Sequence, residues 1–126
     1  MMETAARLHR PRVVLADDHP SIRAALERLL ESTCDIVASV GGGRDAVETA
    51  ERLVPDVVVL DISMPDLDGI AACRQLHRTL PGVHVILMSG TDEETLRTAA
   101  IQAGADAFMV KYQAARELDR IIQQLG

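Results

Sequence analysis

The chain has 126 residues, 48% of them hydrophobic, and a formal net charge of −6 at pH 7. That is enough apolar material for one core and one domain, and too much for a disordered chain. No apolar run is long enough to span a bilayer and the N-terminus lacks a secretory apolar region. The basic residues are scattered rather than gathered into a stripe. Membrane insertion, export and direct nucleic-acid binding are therefore not expected, and the default compartment is the cytoplasm.

Residues 1–11 read as a loose leader ending at Pro11, and 12–126 as a single domain. Val13-Val14-Leu15-Ala16 is a short apolar strand that ends in Asp17-Asp18. Pro20 suits the first turn of a helix. Ile22, Ala25, Leu26, Leu29 and Leu30 then recur on one helical face. Asp35 to Val40 is less uniformly apolar, as suits a strand at a sheet edge. Gly41-Gly42-Gly43 predicts a flexible turn, since the triplet lacks the spacing of a phosphate-binding loop. Ala46, Val47, Ala50, Leu53 and Val54 form a second helical stripe, stopped by Pro55.

Val57-Val58-Val59-Leu60 reads as a strand buried on both faces, and Asp61 follows it. Met64-Pro65 and Asp68-Gly69 mark a loop. A helix with Ile70, Cys73, Leu76 and Leu80 on one face comes next, closed by Pro81-Gly82. Val83 to Met88 is a fourth strand, ending at Ser89. Thr91 and Glu94 have capping-box spacing before a helix carrying Leu96, Ala99, Ala100 and Ala103, with Gly104 as its C-cap. Ala107 to Val110 is the fifth strand, ending at Lys111, and Leu118, Ile121, Ile122 and Leu125 mark a last helix. Cys34 and Cys73 lack metal-ligand spacing and read as buried thiols.

Strict strand–helix alternation with short connections predicts an α/β fold, a parallel sheet with helices on both faces. In such a sheet ligands bind outside the carboxyl ends of the strands. Asp17-Asp18, Asp61, Ser89 and Lys111 each follow a strand, and Lys111 is the one lysine in the chain. Carboxylates gathered at one rim repel one another and call for a hard cation, with few protein ligands favouring Mg2+ over Ca2+. Mg2+, an ammonium and a hydroxyl around one carboxylate make a cradle for a phosphoryl group, with Asp61 as the nucleophile.

Each residue also has a plainer reading. The aspartates suit turns or helix N-caps, Ser89 a turn hydroxyl, Lys111 a solvated surface position, and His19 a loop or packing position rather than a metal ligand. Those readings must explain four placements at one rim.

With these residues in place, the chain from about Arg12 to Leu125 resembles the receiver domain of bacterial two-component response regulators. The resemblance rests on Asp17-Asp18, on Asp61 with Met64-Pro65 and Gly69 behind it, and on Ser89 and Lys111, all in order. It implies a doubly wound five-stranded sheet of order 2-1-3-4-5 with five helices, the order the flavodoxin-like class shows. It implies Asp61 as phosphoacceptor from a sensor histidine kinase. Mg2+ would be held by Asp18, Asp61 and the backbone carbonyl of Ser63, with Asp17 acting through water. Ser89 would be the switch hydroxyl and Phe108 the switch aromatic.

Asp17-Asp18-His19-Pro20 is similar to the opening of receivers that precede a LuxR-type helix-turn-helix domain. That similarity implies a C-terminal DNA-binding domain in a full-length protein and control of transcription, while a homodimer is an expectation from the fold class alone. No effector is expected within these residues, so a free-standing receiver is the alternative. Tyr112 stands where many receivers have proline, so the cis-proline loop of those members is not expected here.

A signalling domain rather than an enzyme is the expectation. A Mg2+-dependent phosphotransferase working through an aspartyl phosphate would need a substrate pocket or cap. A flavodoxin-like cofactor carrier would need more aromatic surface than one Tyr and one Phe supply.

Overall fold

The computed structural model describes residues 10–126. The elements alternate throughout: β1 (Arg12–Ala16), α1 (Pro20–Leu30), β2 (Asp35–Val40), α2 (Gly43–Leu53), β3 (Val57–Asp61), α3 (Gly69–Thr79), β4 (His84–Ser89), α4 (Glu94–Gln102), β5 (Ala107–Val110) and α5 (Ala114–Leu125). The strands form one parallel sheet in the order β2-β1-β3-β4-β5. The alternation predicts this parallel α/β sheet with helices on both faces, and the doubly wound order is the one the family resemblance implies.

β3 is central because it is the run best suited to burial on both faces. Val57, Val58, Val59 and Leu60 are all 0% exposed. Burying each such side chain stabilises the fold by about 1.5–3 kcal/mol. The two-residue period of the strand divides them between two cores. Val57 and Val59 join Val13, Leu15, Ile86 and Met88 under α1 and α5. Val58 and Leu60 join Val14 and Leu87 under α2, α3 and α4. β2 is half-exposed along its length, as its mixed sequence predicts for an edge, and it carries one extra residue opposite Val13 and Val14.

Several local expectations are refined. α2 starts at Gly43, inside the glycine triplet, because Asp66 from the loop after β3 accepts hydrogen bonds from the N–H groups of Gly43 and Arg44 at 3.0 and 3.4 Å. A carboxylate at a helix N-terminus satisfies donors that would otherwise be orphaned, and it leaves those groups unavailable for a phosphate. The capping box expected of Thr91 and Glu94 does not form. Thr91 Oγ1 donates to Glu93 Oε2 at 2.7 Å instead, and Glu93 is the N-cap, without a side-chain bond. Gly104 does take a left-handed φ of +96° just past α4, backed against His77.

Residues 1–9 of the expected leader lie outside the described residues. Arg10 donates to the carbonyls of Glu31, Ser32 and Cys34, and the Pro11 carbonyl accepts from the Asp35 N–H. Cys34 and Cys73 are buried, unpaired and in separate cores, and burial pushes the Cys73 thiol up to about 11. Among the described residues no peptide bond is cis, so the chain at Tyr112 follows the trans path. No helix among them is long and apolar enough to cross a membrane.

Gly69 starts α3 where the helix meets the end of β3, and a Cβ there would overlap the carbonyl oxygen of Asp61. Gly69→Ala is expected to lower stability by about 1–3 kcal/mol, as overpacking does. Urea unfolding followed by circular dichroism measures this, and an unchanged midpoint would show that the helix start yields without cost.

Candidate functional site

β1 and β3 are neighbours in the sheet, with Ala16 paired to Leu60, so the residues that follow them emerge side by side. Asp17 and Asp61 are 0% and 1% exposed, while the Asp18 side chain is 36% exposed at the rim. Two buried carboxylates this close require a counter-charge. Lys111, at the end of β5, supplies it. Its Nζ lies 2.9 Å from Oδ2 of Asp61 and 2.9 Å from Oδ2 of Asp17. The contact to Asp61 is a hydrogen bond. The contact to Asp17 is an ion pair outside hydrogen-bonding geometry, so Asp17 Oδ2 is a buried oxygen with no hydrogen bond.

His19 takes the other oxygen of Asp17. Its backbone N–H donates to Asp17 Oδ1 at 2.9 Å, and its ring Nδ1 lies 3.0 Å from that atom and 3.0 Å from Asp18 Oδ1. The sequence reading of His19 as a loop residue is right about its place and misses this contact. The signal available was adjacency: the ring belongs to the residue after the acid pair. Arg23 closes the turn by donating to the Asp17 carbonyl at 2.6 Å.

The charges settle unevenly. For Asp17, burial pushes the carboxyl up, but the His19 N–H and Lys111 outweigh it, and the group sits below the ordinary value of 3.8. For Asp61, burial dominates, Lys111 opposes it, and the neighbouring Asp17 charge adds to the rise, so this carboxyl lies above 3.8. Burial pulls Lys111 down, yet the negative charges of Asp17 and Asp61, with the hydrogen bond to Asp61, raise it above 10.5. The lysine is a fixed cation at neutral pH. Asp61 is the acid whose negative charge the fold tolerates least.

Ligand atoms of Asp17, Asp18, His19 and Asp61 lie within 4.8 Å of one another. An oxygen-rich set of this size, with a buried Asp17 oxygen met by the Lys111 charge but by no hydrogen bond and an open rim at Asp18, fits a small hard divalent cation. Ser63 is exposed beside it, and its N–H donates to Asp61 Oδ1 at 3.3 Å. Ser89 is buried at the end of β4, but its Oγ accepts from the Thr91 N–H at 3.1 Å, which curls the following loop back on the strand end. Phe108 stands apart from the acids. It is half-buried on β5, packed against the core under α2, α3 and α4, and covered by the Arg97 guanidinium 4.7 Å from its ring centre. Nothing in the residue pattern pointed to that contact.

The comparisons with known proteins bear on the family and the fold. The family profile described as the response regulator receiver domain matches residues 13–123. Response regulator protein VraR of Staphylococcus saprophyticus is 30% identical over 115 residues, which cover 90% of this chain and 55% of that protein. The chain thus spans about half the length of such relatives. The signal receiver domain of the NarL response regulator of Mycobacterium tuberculosis superposes with a TM-score of 0.88 at 30% identity, covering 92% of this chain and 95% of that one. A LuxR-family DNA-binding response regulator of Staphylococcus aureus gives a TM-score of 0.86 at 25% identity, covering 91% of this chain and 98% of that one.

The two buried aspartates are expected to contribute to stability with opposite signs. The raised carboxyl of Asp61 favours folding only while protonated, so that contribution is lost as pH rises through its folded value. Asp61→Asn is therefore expected to raise the urea midpoint at neutral pH, without divalent metal, and to have no effect near or below 3.8. The lowered carboxyl of Asp17 contributes above 3.8 and loses its contribution as pH falls through its depressed value. Asp17→Asn is expected to lower neutral-pH stability by on the order of 1 kcal/mol, through a weakened charge-assisted bond. Equal signs for the two variants would refute the assignment.

Proposed function

The chain belongs to the response regulator receiver domain family, and on that footing we propose that it is the phosphorylatable receiver of a two-component system, with Asp61 as the phosphoacceptor. The observation that carries the reading is the convergence of Asp17, Asp18 and Asp61 with Lys111 Nζ 2.9 Å from two of them.

A carboxylate oxygen of Asp61 attacks the phosphorus of a phosphohistidine on a sensor histidine kinase. The O–P bond forms as the P–N bond breaks, with its electron pair left on the donor's imidazole. Lys111 holds the Asp61 carboxylate in place and then faces the phosphoryl oxygens, where its fixed charge favours the developing negative charge. Asp18, Asp61 and the Ser63 carbonyl would hold Mg2+, with Asp17 acting through water. The bound ion would supply neutralisation of the phosphoryl oxygens. Ser89 leaves the Thr91 N–H and donates its hydroxyl to the new group. The loop after β4 follows, and Phe108 moves inward into the space released. Two packings that coexist beforehand are biased by the phosphoryl group, and about 5.5 kcal/mol would move the balance from 1:99 to 99:1.

The relatives include LuxR-type DNA-binding regulators, and the chain covers about half of a protein such as VraR. The output we infer is transcription, through a C-terminal DNA-binding domain of the full-length protein, with the kinase as upstream partner and a homodimer as the activated form. The domain works in the cytoplasm as a signalling module, contacts neither membrane nor nucleic acid by itself, and turns over no small substrate. A free-standing receiver is the alternative.

Incubation with Mg2+ and acetyl phosphate is expected to add one phosphoryl group to the wild type, read by mass spectrometry, and none to Asp61→Asn. Beryllofluoride with Mg2+ should likewise bind the wild type alone. A comparable Mg2+-dependent adduct in the Asn variant would defeat the proposal.

A further inference from the structure

The loop that follows Ser89 is tied to Phe108 by one side chain. Arg97, on the first turn of α4, donates from Nη2 to Asp92 Oδ1 at 2.8 Å, and its guanidinium caps the Phe108 ring at 4.7 Å. Asp92 lies one residue beyond Thr91, whose N–H the Ser89 hydroxyl accepts at 3.1 Å. An unbroken set of contacts therefore runs from the hydroxyl at the end of β4 through the loop and across to the aromatic ring on β5.

From this geometry we propose that Asp92 and Arg97 form a latch, with Arg97 as the positioning residue that keeps Phe108 in its half-buried place until the loop after Ser89 moves. The inference rests on the phosphoacceptor reading given above and adds what restrains the switch. A planar guanidinium suits the task because it pairs with a carboxylate at one edge while its face lies on the ring. When Ser89 turns to the phosphoryl group, the Thr91 N–H loses its acceptor and the loop rearranges. Asp92 moves with it, and Arg97 loses the partner that aims it at the ring.

The latch is shallow. The Arg97 and Asp92 side chains are 37% and 58% exposed. An exposed ion pair and an exposed cation–π contact each shift an equilibrium by less than about tenfold. That is enough to tune a two-packing equilibrium without locking it.

The test uses beryllofluoride with saturating Mg2+, its binding to the chain followed by fluorine NMR. Simple electrostatics and the latch predict different signs. If only charge mattered, Arg97→Gln would weaken binding of the anion and Asp92→Asn would strengthen it. Release of the latch strengthens binding in both, by about two- to fivefold, the scale of one exposed contact. The double variant should match Arg97→Gln alone, because the tether has no further effect once the guanidinium is gone. Arg97→Lys should fall between wild type and Arg97→Gln. Mg2+ affinity without the anion should be the same in all four variants, as their folding and acid pocket are untouched. Opposite signs, additive effects or unchanged affinities would overturn the latch while leaving the phosphoacceptor reading intact. A wild type that binds no beryllofluoride would overturn that reading and the latch with it.

Discussion

The Lys111 ammonium between two buried carboxylates is the constraint on which the rest of the site depends. Asp17 and Asp61 would each cost several kcal/mol if buried charged and alone. One cation shared between them makes their burial tolerable and leaves the balance unequal. Asp17 also receives the His19 N–H, whereas Asp61 receives only a longer bond from Ser63. The acid with less support is held above the ordinary carboxylate value.

The sheet order makes this possible. β1 and β3 sit side by side, with β5 two strands farther out beyond β4. The lysine therefore reaches across the end of β4 to meet both acids. Ser89 lies at that intervening strand end, where its hydroxyl accepts from the Thr91 N–H. The loop after β3 is pinned at two points, by Asp66 on the N-terminus of α2 and by Asp68 capping α3 through the Ala71 N–H at 2.8 Å. The loop after β4 is tied to Ser89 through the Thr91 N–H and to Arg97 through Asp92.

Much of the fold was legible in the residues, because hydrophobic period and burial are tied directly to element type. Val57 to Leu60, short, β-branched and flanked by Pro55 and Asp61, reads as a strand buried on both faces, and the Ile22 to Leu30 stripe as an amphipathic helix. Helix starts were less legible. The α2 start at Gly43 is decided by Asp66, some twenty residues later in the chain, and the hydroxyl of Thr91 found Glu93 rather than the helix backbone. Caps are single hydrogen bonds, and a neighbour from elsewhere in the fold can replace the local partner at little cost.

Which residues stand at the strand ends could be read from the chain, because each apolar run stops where a charged or hydroxyl residue begins, and the kinship of the whole pattern follows from that. How they meet came from the folded molecule: one ammonium serves two acids, the His19 ring joins the acid pair, and Arg97 covers Phe108. Such contacts join residues far apart in the chain and turn on side-chain direction, which no one-dimensional periodicity encodes.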